Sequence, residues 1–317
     1  MAAYLVTGGA GFIGSHLTEE LVRRGHTVRV ADSLITGKRR NLDHIPNVEF
    51  LEGDLADLPF AQRAVAGMEY VLHEAAIPSV PRSVADPITS NRANTDATLN
   101  VLVAARDAGV KRLVFAGSSS EYGNTATLPK TEDMTPSPLS PYALQKVVGT
   151  QYCQMFHRLY GFETVVTRYF NVFGPRQDPS SPYSGVISVF STALSEGRRP
   201  TIYGDGEQTR DFTYVANVVD GVLRACDAPN AAGEAINVAC GTRISLNELL
   251  RVMNRIVGTN IEAVYQEVRH GDVKDSQADI SKAKALLGYV PIVDLEDGLR
   301  QTLAWCQVES AAAAPGC

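Results

Sequence analysis

The chain has 317 residues, 44% of them apolar, enough to bury a core in one large α/β domain or two smaller ones. Lys and Arg number 29 against 35 Asp and Glu, and the net charge of −6 excludes a coat for nucleic acid, so any bound anion must be held by a local site. A mean hydropathy of −0.07, with no apolar run near the ~20 residues needed to cross a bilayer, excludes a spanning segment and a membrane partner. The opening Met1-Ala2-Ala3-Tyr4-Leu5-Val6 runs straight into a strand pattern without a basic leader, which predicts a cytoplasmic protein. Cys153, Cys226, Cys240, Cys306 and Cys317 form no CxxC and the six histidines no HExxH spacing, so neither a disulfide frame nor a metal site is expected.

In chain order, β-rich runs at 4–7, 27–31, 48–51, 70–73, 112–116 and 164–167 alternate with helix-period stretches at 13–24, 61–66, 92–108 and 141–160. Strand after helix after strand predicts a doubly wound parallel sheet. From Gly174-Pro175 onward the texture turns to Pro, Gly and Ser, the expected start of a smaller α/β lobe over the carboxyl edge of the sheet. The expected division is a dinucleotide-binding domain over 1–170 with a return near 212–240, a substrate lobe over 171–211 and 241–308, and a frayed tail over 309–317.

The first strand feeds Gly8-Gly9-Ala10-Gly11-Phe12-Ile13-Gly14, followed by a helix pattern. Gly8 suits a tight turn, Gly11 the approach of a pyrophosphate, and Gly14 close packing of helix on strand, with the helix N-terminus facing the phosphates. Asp32, at the end of the second strand, sits where a ribose 2′-hydroxyl is bound. The first domain therefore reads as a Rossmann domain holding a nicotinamide dinucleotide. Lys38, Arg39 and Arg40 offer a cradle for a 2′-phosphate or a solvated loop; Asp32 would repel that phosphate, so NAD is favoured over NADP.

Further on come Gly53-Asp54-Leu55, His73-Glu74-Ala75-Ala76, Gly117-Ser118-Ser119-Ser120-Glu121-Tyr122-Gly123 and Tyr142-Ala143-Leu144-Gln145-Lys146. With the glycine loop, these ordered motifs resemble the extended short-chain dehydrogenases/reductases over about residues 3–305, most closely their nucleotide-sugar 4-epimerases. The resemblance implies an adenine contact at Asp54, with Leu55 also against the cofactor, a cofactor floor at Ala75 and Ala76, and Asn94 on the central helix near the active site. It also implies a homodimer built on helices 92–108 and 141–160, with which Leu99, Val103, Val147 and Tyr152 are compatible, as they are with an intramolecular core.

Ser140-Pro141 reads as a cap and first helical residue, which puts Tyr142 and Lys146 one turn apart on one face. An ammonium beside a phenol favours phenolate, making Tyr142 a base for the sugar O4 proton while the C4 hydride passes to NAD and later returns to the other face of a 4-keto sugar. Ser118 is placed to hold the same oxygen, with Ser119 and Ser120 as possible sharers. Relatives that eliminate water carry acids at the positions of Ser119 and Ser120; those acids are absent, and Glu121 is one place too late and is expected to point elsewhere.

On the substrate side the resemblance implies diphosphate binding by Asn171, Arg210 and Arg269 and a ribose contact by Asp272. An Arg210–Asp211 or Arg269–Asp272 ion pair is the plainer alternative. Tyr203 and Val186 are candidate walls for uracil, equally suited to core. Ser276 falls where galactose-selective relatives carry tyrosine, and its small side chain leaves space for a 2-acetamido group. The expected activity is interconversion of UDP-GlcNAc with UDP-GalNAc, and of UDP-Glc with UDP-Gal. The alternatives are a UDP-glucuronate 4-epimerase or decarboxylase, disfavoured because no arginine stands near Ser184-Gly185-Val186, and a non-catalytic dinucleotide sensor.

Overall fold

The computed structural model describes residues 1–178, 185–268 and 274–313. Its strands are β1 (Ala3–Thr7), β2 (Thr27–Asp32), β3 (Val48–Glu52), β4 (Tyr70–His73), β5 (Arg112–Ser118), β6 (Glu163–Tyr169), β7 (Val172–Phe173), β8 (Thr201–Tyr203), β9 (Thr209–Arg210), β10 (Thr213–Tyr214), β11 (Ala235–Val238), β12 (Ile244–Ser245) and β13 (Val264–Gln266). Its helices are α1 (Phe12–Arg23), α2 (Leu58–Val65), α3 (Val80–Ala85), α4 (Pro87–Asn91), α5 (Ala97–Asp107), α6 (Pro141–Tyr160), α7 (Val186–Ser195), α8 (Val215–Asp227), α9 (Leu246–Val257), α10 (Ser281–Leu287) and α11 (Leu295–Ala313).

Seven strands form one parallel sheet in the order β3-β2-β1-β4-β5-β6-β11. Strand order reverses between β1 and β4, so the loops leaving them diverge and open a crevice at the carboxyl edge. This is the doubly wound Rossmann architecture. Helices cover both faces, which is why the strands read as near-continuous apolar runs. Leu17 and Leu21 of α1 and Val218 and Val222 of α8 share one core with Val6, Val28 and Val114. On the other side Phe60, Val101, Leu102 and Phe156 from α2, α5 and α6 meet Leu5, Val71, Leu113 and Phe115. A third apolar cluster, including Phe190, Ile202, Phe212, Leu249, Met253 and Leu299, forms after residue 171, and Phe12 and Ile13 from the first turn of α1 pack against it.

Three segments depart from the sequence expectation. The stretch read as one helix over 92–108 begins as a π-helical turn, Arg92–Asp96, before α5. There Asn94 accepts the Ile77 N–H (2.7 Å) and donates to Gln145 (2.7 Å), buried bonds that accompany the wider turn. Residues 309–313, read as a frayed tail, continue α11 to Ala313, as the high helix propensity of alanine favours, and Glu309 lies 3.5 Å from Arg40. Ala283 and Leu287 of α10, with Tyr289, join the core on the α1 and α8 face of the sheet although 241–308 was assigned to the lobe. Among the described residues no helix is long and apolar enough to cross a membrane.

Candidate active site

At the mouth of the crevice the glycine loop is as tight as its spacing requires. Gly8 has φ +66°, and a Cβ on it would stand 2.8 Å from the Ala75 main chain; one on Gly14 would stand 2.3 Å from the Gly8 carbonyl. Gly11 precedes α1 without a side-chain cap, a helix start suited to a pyrophosphate. Asp32 is buried at the end of β2 and accepts the Ala10 and Leu34 N–H groups (3.0 and 2.8 Å), one on each oxygen, leaving further acceptor capacity for a ribose diol; burial raises its carboxyl. The basic trio is engaged elsewhere: Lys38 pairs with Asp178 (2.8 Å), Arg39 stacks on Phe50 (3.8 Å), and Arg40 faces Glu309. The buried Asp32 carboxylate remains the feature that opposes a 2′-phosphate. The donor set and the glycine cradle fit a dinucleotide whose adenosine ribose carries no 2′-phosphate.

The floor hangs on a buried relay. Ala75 N–H donates to Thr7 Oγ1 (3.2 Å), and His73 bonds Thr7 Oγ1 on one ring nitrogen (2.7 Å) and Thr98 Oγ1 on the other (3.0 Å), while Thr98 donates to the Asn94 carbonyl. Complete burial pushes His73 down to about 3, so the ring stays neutral and keeps one donor and one acceptor. Ala76 lies beside it, partly buried. Asp54 accepts the Ala56 N–H and meets Arg92 at 3.3 Å; Leu55 is buried, its carbonyl held by Asn100. Asn94 spends its amide inside the protein, linking this floor to Gln145 next to Lys146.

Ser140 caps α6 through the Ala143 N–H (3.1 Å) with Pro141 as first helical residue, so Tyr142 and Lys146 rise on one face. Ser118, the last residue of β5, lies near enough to Tyr142 to act on its phenol, and its Oγ accepts from the Ser120 N–H (3.2 Å) and hydroxyl (2.8 Å). Ser119 opens the 3₁₀ turn that follows. Lys146 Nζ donates to the Ala116 carbonyl (2.7 Å), 4.9 Å from the Phe115 ring centre and 5.9 Å from that of Tyr142. The phenol is not lowered by this neighbour, contrary to the sequence expectation. Burial pushes Tyr142 up to about 12, with Glu121 and Glu74 adding to the rise, while burial lowers Lys146 against the pull of the same two carboxylates.

One group that sequence reasoning missed stands beside this set. Glu74, read only as part of a floor motif, accepts the Tyr169 hydroxyl (2.7 Å), and burial raises its carboxyl. Glu121, expected to point elsewhere, does so: it is buried and meets Arg168 at 3.0 Å. A carboxylate inside an otherwise apolar or small-residue motif was the available signal.

On the lobe side, Asn171 follows β6 at φ +36° and donates to the Asp211 carbonyl (3.0 Å). Arg210 donates to the Thr209 and Lys274 carbonyls (2.9 Å each). The carboxylate of Asp211, fully buried, accepts the Cys240, Gly241 and Ala278 N–H groups (3.1, 3.0 and 3.1 Å), and burial pushes it up to about 7. Ser276 is buried and its N–H donates to the Thr209 carbonyl (3.0 Å), which brings it beside Arg210. Tyr203 ends β8 and Val186 begins α7, both partly buried. Arg269 and Asp272 lie outside the described residues.

A doubly wound parallel sheet with a glycine cradle, an acid closing β2 and a Ser-Tyr-Lys set at its carboxyl edge defines a dinucleotide-dependent enzyme of the short-chain dehydrogenase/reductase class. Residues 4–239 match the model of the NAD dependent epimerase/dehydratase family, and the chain belongs to that family. NAD is accordingly its cofactor. The chain is 39% identical, over 96% of its length and 99% of that protein, to UDP-glucose 4-epimerase of Mycolicibacterium smegmatis. It is similar in structure to UDP-N-acetylglucosamine 4-epimerase from Methanobrevibacter ruminantium M1 in complex with UDP-N-acetylmuramic acid, at 38% identity and TM-score 0.93, covering 97% of this chain and 99% of that one. UDP-glucuronic acid 4-epimerase from Bacillus cereus, in complex with UDP-glucuronic acid and NAD, superposes with TM-score 0.88 at 32% identity, again over 97% and 99%. Among these relatives the common reaction is 4-epimerisation of a UDP-sugar.

Proposed function

We propose that this chain inverts C4 of a UDP-hexose, with UDP-GlcNAc and UDP-GalNAc as the preferred pair and UDP-Glc and UDP-Gal as the second. The observation that carries the reading is the convergence of Ser118 and Tyr142 beside Lys146 at the sheet edge that also bears the glycine cradle. Tyr142, as phenolate, takes the proton from O4; Ser118 steadies that oxygen; Lys146 holds positive charge against the phenolate. Bound NAD supplies the acceptor and donor of hydride at C4. Gly8, Gly11, Gly14, Asp32, Asp54, Ala75 and Ala76 hold it, with Phe12, Ile13 and Leu55 shaping the wall. A pure sensor has no use for the base, which speaks against that alternative.

Arg210 and Asn171 face the diphosphate in this reading, joined by Arg269, while Asp272, Tyr203 and Val186 take the nucleoside. The preference for an N-acetylated sugar rests on Ser276, a small side chain held beside Arg210 by the Thr209 carbonyl. Glucuronate work is disfavoured by the lack of a cation at 184–186. Pairing of two chains through α5 and α6 belongs to the same reading, supported by the partly buried Leu99, Val103 and Tyr152; Val147 is instead interior to one chain. The site of action is cytoplasmic.

Incubation with UDP-GlcNAc, UDP-Glc and UDP-glucuronate without added cofactor, read by proton NMR, tests it. The expected product is the C4 epimer, formed fastest from UDP-GlcNAc. Loss of carbon dioxide or water, or no epimer from any of the three, overturns it.

A further inference from the structure

Glu121 is the most completely buried carboxylate next to the chemistry, with a side-chain exposure of 1%. It occupies the third position of the 3₁₀ turn Ser119–Tyr122, where a capping box uses it: Oε1 accepts the Ser118 N–H at 3.0 Å. Oε2 accepts the Thr150 hydroxyl from α6 and Nε–H of Arg168 from β6, both at 3.0 Å. Arg168 in turn donates to the Tyr122 hydroxyl (3.0 Å), which donates to Asn237 of β11 (2.7 Å). Gly117 leaves the carboxylate its space, since a Cβ there would stand 3.0 Å from Oε1.

Tyr142, Lys146 and Thr150 are spaced four residues apart on α6 and form one stripe of the helix. The first two reach the crevice and the third reaches Glu121. One carboxylate therefore connects the strand end that carries Ser118 to the helix stripe that carries Tyr142 and Lys146. Arg168 compensates its charge, without which the buried group would be strongly destabilising.

Building on the reading that Ser118, Tyr142 and Lys146 perform the chemistry, we propose that Glu121 is a positioning residue, and that its bond to Thr150 sets the spacing between Ser118 and Tyr142. Proton transfer at O4 depends on that spacing, and a displacement of about 1 Å at a reacting group costs on the order of a hundredfold in rate. UDP-sugar binding, made by other residues, does not depend on it.

The discriminating variant is Thr150→Val, which keeps the shape and the Glu121–Arg168 pair and deletes one hydrogen bond. With UDP-GlcNAc and UDP-Glc assayed in parallel, kcat is expected to fall about tenfold while KM stays within about twofold, and Thr150→Ser to restore kcat to within about twofold of the parent. Glu121→Gln should lower kcat further; if it fails to fold, the Thr150 pair still decides. Parental kcat in Thr150→Val, a matching change in KM, or no recovery in Thr150→Ser overturns the proposal. Tyr142→Phe separates the two levels: its inactivity with an intact Thr150→Val rejects the brace alone, and its full activity rejects the catalytic reading and the brace with it.

Discussion

Tyr142 carries the sharpest consequence at the scale of single residues. Burial pushes its phenol up to about 12 even with Lys146 in place, so the base form must be recovered by further charge, which the cofactor brings when bound. Tyr142→Phe should retain the fold by circular dichroism and lose ~10²-fold or more in kcat, the scale of a lost general base. Ser276 makes a different kind of prediction, because its role is steric. Ser276→Tyr adds volume next to Arg210 and should damage UDP-GlcNAc turnover selectively, by about 1 to 3 kcal/mol in the ratio of kcat/KM for UDP-GlcNAc to that for UDP-Glc. Equal losses on both sugars would make Ser276 a structural loop residue. Both residues were visible in the chain, Tyr142 through its spacing to Lys146 and Ser276 through resemblance. That Glu121 turns away from the sugar was also expected, but its partner Arg168 and the contacts of Lys38, Arg39 and Arg40 were not, because each depends on a residue that folding brings in from a remote part of the chain.

At the scale of elements, α6 sets the chemistry by how closely it lies on β5. Gly149 permits that approach: a Cβ on it would stand 2.4 Å from the Phe115 ring. Gly149→Ala should therefore push the helix off the strand and destabilise the protein by about 1 to 3 kcal/mol despite the better helix propensity of alanine. Urea denaturation measures the loss, and an unchanged or higher midpoint would show that the ring moves freely. The strands were legible because a sheet covered on both faces demands runs of apolar residues, and Val, Ile and Phe declare them locally. The π-helical turn at Arg92–Asp96 was not legible, since nothing in its own sequence interrupts the helical period; the buried bonds of Asn94 to Ile77 and Gln145 go with that wider turn.

For the molecule as a whole, Asp211 joins three separate segments through one carboxylate, and its titration belongs to global stability. Its folded value is raised to about 7, so its stabilising contribution is full below the ordinary carboxylate range and is lost as pH rises through about 7. Asp211→Asn should remove that dependence, a slope of at most ~1.4 kcal/mol per pH unit, even while lowering stability overall. Thermal melts of both proteins at pH 5 and pH 8 test the sign; an identical pH difference in parent and variant would assign the dependence to another group. Because epimerisation regenerates its own oxidant, the purified protein should also retain NAD and turn over without any added. Denaturation should release the dinucleotide, and a protein active only with stoichiometric NADPH would refute the cofactor assignment and the epimerase mechanism together.

The alternation of strands and helices, the glycine cradle, Asp32 at the second strand end and the Tyr142–Lys146 stripe were all readable in the amino-acid order, because each rests on spacing within a few residues and on conformations that only certain side chains permit. The buried relay from Ala75 through Thr7, His73 and Thr98 to Asn94, the brace at Glu121 and the three-way tie at Asp211 belong to the folded chain alone. Their partners lie far apart in sequence, and a polar group removed from water takes whichever donor or acceptor the packing brings within reach.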